Sequence, residues 1–304
     1  MSRSIHRRTF LTTATAALAV TVAGPARAAA APRISTAFTL PDDRAYPEGI
    51  ALDPRTGDAY VGSYTTGAVY RAARGSRAAE VFLAAGADGR TTANGLKVDR
   101  AGRLWVVDST AGVDVYDLPG RTPLARLTVP GDAPSFVNDL AIGPDGTAYL
   151  TDSSRPVVYR VTPADLARAR RGGATLDAAY DLSGVAAPDG LFLNGIVVDP
   201  SGRYLFVVGM TGGDLTHGDG LELTHGTLWA AHNAVDALSR WRLARDGSSA
   251  RLERRFSDSA LQIPTTLARL HGRLLVVRSQ FDKGGPMGPG VPDEPFTVAW
   301  VDGI

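Results

Sequence analysis

The chain has 304 residues, enough for one large domain or two small ones. It has no cysteine, which excludes disulfide scaffolds, zinc–thiolate sites, iron–sulfur clusters and thiol nucleophiles. With 32 basic and 31 acidic residues it lacks the basic excess of an electrostatic nucleic-acid binder, and outside the N-terminus no apolar run reaches the roughly 18 residues of a membrane span.

Residues 1–28 read as an export signal. Arg3, Arg7 and Arg8 precede a weakly apolar stretch from Phe10 to Gly24, and Ala26-Arg27-Ala28 supplies the small residues of a cleavage site. Arg7-Arg8-Thr9-Phe10-Leu11 resembles the bacterial twin-arginine signal, which predicts a secreted protein; the alternative is an ordinary Sec signal with a chance arginine pair. Removing 28 of 304 residues leaves 276, with 28 basic against 31 acidic.

One phrase then recurs along the chain. A polar anchor is followed by a small residue, aliphatic positions, a turn containing glycine and a second apolar strand. The copies start at Glu48-Gly49-Ile50, Asn94-Gly95-Leu96, Asn138-Asp139-Leu140, Asn194-Gly195-Ile196, Asp219-Gly220-Leu221 and, more weakly, Thr265-Thr266-Leu267. Each reads as a hairpin. Third and fourth strands follow several copies, as at Val69-Tyr70-Arg71 and Val81-Phe82-Leu83. Four antiparallel strands per repeat of roughly 46 residues predict an all-β fold, a six-bladed β-propeller occupying 33–304 as one domain.

The anchors are spaced by 46, 44, 56, 25 and 46 residues. The long interval accommodates an Ala/Arg-rich helical insertion at Pro163–Arg171. The short one leaves room for only half a blade, so blade four is predicted to lack its outer strands. That would expose the edge of Tyr204–Val208 unless the Thr211–Gly218 loop covers it. Either Ile34–Leu40 or Phe296–Val301 is expected to close the ring by completing a blade with the other terminus.

In a propeller the innermost strands line a central channel and start at one of its mouths. The six anchors Glu48, Asn94, Asn138, Asn194, Asp219 and Thr265 should therefore converge there. All carry oxygen, a donor set that suits Ca²⁺ or Mg²⁺, with Mn²⁺ also compatible. The bland alternative is that they only start strands and cap turns.

With the motifs Pro47-Glu48-Gly49-Ile50, Val137-Asn138-Asp139, Leu193-Asn194-Gly195-Ile196 and Gly218-Asp219-Gly220-Leu221, the chain resembles the SMP-30/gluconolactonase/LRE-like family of six-bladed propellers. The resemblance implies that Glu48, Asn194 and Asp219 hold one divalent cation. Ca²⁺ comes first, with Mg²⁺, Mn²⁺ or Zn²⁺ as alternatives. It also implies that Asn138 contacts a small-molecule substrate, a lactone or similar ester. Asn94 holds the corresponding place in blade two, and Thr265 is the sixth anchor; both join the expected substrate-binding set. The departures from the family pattern are the short blade four and Thr265. Asp219 is the expected catalytic residue, serving as ligand and as general base for a water. A non-catalytic binding propeller is the alternative, since fold does not fix function, and a lyase on the same scaffold is a third reading. The sequence does not set the oligomeric state.

Of the histidines, His217 is close enough to Asp219 to reach the mouth, although a solvated loop position also fits. His225 and His232 are expected at the far end of a blade. Asp108 and Asp152 read as turn-forming, and Trp105, Tyr149 and Trp229 as packing between blades. Lys283–Pro295 reads as a surface loop.

Overall fold

The computed structural model describes residues 31–185, 192–211 and 213–304. The proposed export signal, 1–28, lies outside them. The fold is an all-β propeller. Strand β1 (Arg33–Thr39) precedes a first sheet of β2 (Pro47–Leu52), β3 (Ala59–Ser63), β4 (Val69–Ala72) and β5 (Glu80–Leu83). The second sheet contains β6 (Leu96–Val98), β7 (Arg103–Asp108), β8 (Gly112–Asp117) and β9 (Thr122–Thr128). The third begins with β10 (Val137–Ile142), β11 (Ala148–Asp152) and β12 (Val157–Val161). It then detours through helix α1 (Pro163–Ala169) and strand β13 (Ala174–Thr175) before β14 (Asp177–Asp181). The fourth sheet has only β15 (Leu193–Val198) and β16 (Leu205–Gly209). The fifth holds β17 (Gly218–Thr224), β18 (Thr227–His232), β19 (Ala237–Leu243) and β20 (Ala250–Ser257). The sixth is β21 (Pro264–Leu270), β22 (Arg273–Arg278) and β23 (Thr297–Asp302), with β1 paired outside β23.

Of the six blades expected, five are seen. Five sheets are complete blades, and the fourth in chain order has two strands among the described residues. The two-stranded sheet lies in the 25-residue interval between Asn194 and Asp219. Both termini meet in one sheet, β1 running antiparallel to β23 from Arg33↔Asp302 to Thr39↔Thr297. The insertion is helical, capped by Thr162 and Asp165, and it returns β13 parallel to β9, which makes the second sheet five-stranded. That cross-sheet strand was not foreseen. Among the described residues no helix is long and apolar enough to cross a membrane.

The core lies between sheets, because each sheet is apolar on both faces. Tyr60, Phe82, Leu96 and Tyr116 fill the space between sheets one and two. Trp105, Leu140, Tyr159 and Leu166 fill the next gap. Tyr149 packs toward Leu193 and Ile196, and Trp229 toward Leu267 and Leu274, so the three aromatic residues do pack between sheets. The edge of the short sheet is partly covered. Phe206 and Val208 share a cluster with Leu215, from the expected covering loop, and with Trp241 and Leu243 of the fifth sheet.

The inner strands touch in a closed cycle, β2 to β6, β10, β15, β17, β21 and back to β2. Five inner hairpins shift register just after the anchor, for example between Pro47 and Ile50 and between Leu193 and Ile196. Such bulges re-aim a side chain. Glycine beside the anchor lets neighbouring backbones approach. A Cβ on Gly49 would lie 2.1 Å from the Asn94 carbonyl oxygen, and one on Gly195 2.1 Å from that of Asp219. Gly49→Ala is expected to destabilise the protein by about 1–3 kcal/mol through this overlap. Gly172→Ala, with nothing within 4 Å, should change stability by less than about 0.5 kcal/mol. Urea denaturation of the two variants checks the contrast.

Candidate functional site

All six anchors sit at the start of inner strands or just before them, and all are buried. Thr265 is fully buried, and its hydroxyl donates to the Glu48 carbonyl at 2.8 Å. It ties sheet six to sheet one and has no proton left to offer a substrate. Asn138 Nδ2 donates to Ser153 Oγ at 3.0 Å, and that hydroxyl donates to the Leu193 carbonyl at 2.6 Å. The Thr151 hydroxyl donates to the Asn194 carbonyl at 2.7 Å. Backbones and side chains of adjacent sheets therefore fix the anchors before any ligand arrives.

Four oxygens in this ring are buried without a hydrogen-bond partner: Asn94 Oδ1, Asn138 Oδ1, Asn194 Oδ1 and Asp219 Oδ1. A buried acceptor without a donor is costly, and four at one place are what a hard cation would satisfy. Among the described residues no three His, Cys, Asp or Glu side chains group closely enough to hold a metal. The donors that do converge are amides together with carboxylates.

The carboxylates are under electrostatic tension. Burial pushes Glu48 well above its usual range; the charges of Asp219 and Asp139 add to the rise and Lys97 opposes it. Burial likewise pushes Asp219 up to about 8, against a hydrogen bond from Asn233, while Asp139 adds to the rise and Asn194 opposes it. Asn233 Nδ2 reaches Asp219 Oδ2 at 2.7 Å, leaving Oδ1 free. Without a cation, burial disfavours the charged form of both carboxyls.

Three charged or polar participants were missed in the sequence. Asp139 stands where four of the other five copies have Gly49, Gly95, Gly195 and Gly220 and the last has Thr266, and that break in the pattern was the available signal. Lys97 Nζ lies 3.7 Å from Asp139 Oδ1. Lys97 occupies the inner-strand place filled by Ala51 and Ala141, a second visible anomaly. Asn233 follows the second strand of its hairpin, and only the pairing of Gly218 with His232 reveals that it returns to the mouth. An aromatic wall was also missed: Tyr64 lies 5.4 Å from Phe281 and 6.4 Å from Phe136, centroid to centroid. Burial, followed by the charge of Glu48, raises the Tyr64 hydroxyl.

The same pairing corrects the expectation for His232. It lies at the anchor end, not the far end, because an antiparallel partner finishes where its neighbour began. It is fully buried, bonded to the Thr216 carbonyl (3.0 Å) and Ser239 Oγ (2.8 Å), and burial lowers its pKa. His225 is in the far hairpin turn, as expected. His217 is half-buried and bonded through its backbone to Met210 and Asn233. Asp108 and Asp152 do organise turns, accepting from Thr91 and from the Phe136 and Ser154 backbone.

No family model matches the chain, and no curated protein matches its sequence. Solved structures do match. A gluconolactonase of Xanthomonas campestris has 17% identity and a TM-score of 0.60, over 89% of this chain and 89% of that one. The major allergen Mala s 1 of Malassezia sympodialis has 17% identity and a TM-score of 0.64, over 90% and 97%. The PQQ-bound aldose sugar dehydrogenase of Streptomyces coelicolor has 15% identity and a TM-score of 0.59, over 89% and 98%. The likeness is one of fold. Each of these proteins is matched over nearly its whole length, so the propeller as a unit is what they share.

Lys97 is the cation felt by Glu48. Lys97→Met is expected to move the Glu48 titration further upward, because a positive charge that favours the carboxylate is lost. Carboxyl-carbon NMR across a pH series reads this directly; an unmoved or lowered Glu48 midpoint would contradict it.

Proposed function

We propose that this chain is an exported hydrolase of the SMP-30/gluconolactonase type that opens a lactone or similar ester with one divalent cation, Ca²⁺ before Mg²⁺, Mn²⁺ or Zn²⁺. The two-stranded fourth sheet is the inner half of a sixth blade, and residues 1–28 are the twin-arginine signal. The observation that carries the reading is the set of four buried, unpartnered oxygens on Asn94, Asn138, Asn194 and Asp219, beside two carboxyls whose pKa burial raises.

Glu48, Asn194 and Asp219 would hold the cation, which when bound polarises a substrate carbonyl and offsets the charge of the oxyanion. Asp219 is held through one oxygen by Asn233, so its other oxygen points in a fixed direction. That free oxygen accepts the proton of the attacking water once the site has lost its own protons. The Asn138 amide is pinned by Ser153 and keeps one N–H to orient the substrate. Asn94 contributes from the neighbouring sheet. Tyr64 and Phe136 give an apolar surface beside Glu48 against which a ring can pack, displacing water. The shortened sheet leaves these positions intact, because its two strands are the ones that carry and brace Asn194.

Two tests follow from the carboxyls. Both titrate above their usual range in the folded chain, so without cation their contribution to stability is greatest below the unfolded-state values near 4 and is lost as pH rises through the folded values, which for Asp219 is about 8. Thermal melts in EDTA should therefore show a falling midpoint from pH 6 to pH 8.5. Calcium should reverse that slope, and calorimetry in buffers of different ionisation enthalpy should register proton release on binding.

Turnover of a lactone panel should depend on added Ca²⁺ and drop by about a hundredfold or more in Asp219→Asn. Glu48→Gln should lose cation affinity together with rate. Calcium binding without turnover of any lactone or ester would leave a ligand-binding propeller. Absence of both would remove the proposal altogether.

A further inference from the structure

At the far-turn end of the fifth sheet, away from its anchor Asp219, a cleft of about 350 Å³ lies against that sheet where it meets the sixth. Thr224, Thr227 and His225 of the far hairpin turn line it, with Trp229, Arg240, Arg242, Glu253 and Arg269. Its charges are unbalanced. Arg240, Arg242 and Arg251 all converge on one carboxylate, Glu253, at 3.2, 3.5 and 3.1 Å. Arg269 brings a fourth guanidinium from the neighbouring sheet, stacked 5.1 Å from the Trp229 ring centroid. The other nearby carboxyl, Glu222, sits opposite Trp229 in the β17–β18 pair and accepts from the Thr224 hydroxyl at 3.2 Å. Burial raises its pKa, against the opposing pull of Lys97, the Thr224 hydroxyl and Arg269.

The hydrogen-bond inventory tilts the same way. Each guanidinium carries five N–H donors and no acceptor. Two buried donors here are unsatisfied, Trp229 Nε1 and Arg240 Nε. Arg240 Nε is within ion-pair distance of Glu253 yet makes no hydrogen bond to it. The further acceptor for Arg242 is the His225 carbonyl at 3.5 Å, a long contact. Surplus positive charge and surplus donors in one bounded cleft call for a compact ligand that is anionic and rich in acceptors.

We propose that this cleft is a binding site for a small oxyanion, a phosphate, sulfate or carboxylate group, held by Arg240, Arg242 and Arg269 with Trp229 Nε1 donating from the wall. The site stands apart from the carboxylate-and-amide ring and does not rest on the hydrolase reading. Its ligand is the reverse in charge of the one proposed there.

Calorimetric titration of the whole chain with inorganic phosphate, sulfate and acetate tests this at pH 7 and low salt, with EDTA present so that no cation contributes heat. Saturable one-site binding of at least one of the three anions is expected, with a change in tryptophan fluorescence. The anion that binds identifies the group recognised. Arg240→Gln combined with Arg242→Gln should weaken binding by about tenfold or more, as loss of charge-assisted hydrogen bonds implies. If that double variant is misfolded by circular dichroism, Arg269→Gln takes its place with the same expectation. No saturable binding of any of the three anions would overturn the proposal. So would undiminished binding in the folded arginine variants.

Discussion

The pairing of β1 with β23 is the constraint on which the rest of the structure depends. A sheet with two apolar faces must be covered on both, and a linear stack of such sheets always leaves two faces bare. Joining residues 33–39 to 297–302 turns the stack into a ring and removes the problem. The cluster formed at that seam, with Phe38, Phe296 and Val298 fully enclosed, is the counterpart of those between the other sheets. With no cysteine in the chain, this closure is wholly non-covalent. It binds residues about 260 positions apart, so the local hairpins must exist before it can form.

Closure also creates the central site. Only a ring brings the first residues of six inner strands to one place. The site then works against the fold that makes it: Glu48, Asp139 and Asp219 are held out of water with Lys97 as their nearby ammonium. Such groupings persist where the scaffold over-determines them, and they are a common mark of functional sites. Here the scaffold's contribution is specific. Thr265, Thr151 and Ser153 spend their hydroxyls on the backbones of neighbouring sheets, so the ring cannot relax by moving one anchor alone.

Much of this was legible in the sequence, for a physical reason. An inner hairpin buried on both faces must be apolar, must turn tightly and must have its polar residue at the mouth, so six copies of one phrase appear. The spacing between Asn194 and Asp219 pointed by arithmetic alone to a sheet shorter than its neighbours. What was illegible depends on pairing. Asn233 and His232 belong to the anchor end only because a hairpin doubles back. Asp139 and Lys97 looked like strand residues until their places were compared with Gly49 and Ala51 of another copy. Strand β13 has two residues and no periodicity, so nothing in the sequence marked it. Thr265 carries the right atom for a ligand contact, but the neighbouring carbonyl already claims its proton.

The detour through α1 and β13 sets one further property of the molecule. By laying β13 against β9, the third sheet reaches around and grips the outer edge of the second. Leu166, Ala169 and Leu176 bury themselves in the same gap. Among the described residues the fourth sheet is two strands deep and has no such outer grip. The wheel is therefore unevenly stiff around its rim, lashed at one joint and thin at another close by. Mechanical or thermal opening would start at the thin joint, beside the strand that carries Asn194, and any ligand drawing Asn194 and Asp219 together would act there as a rivet.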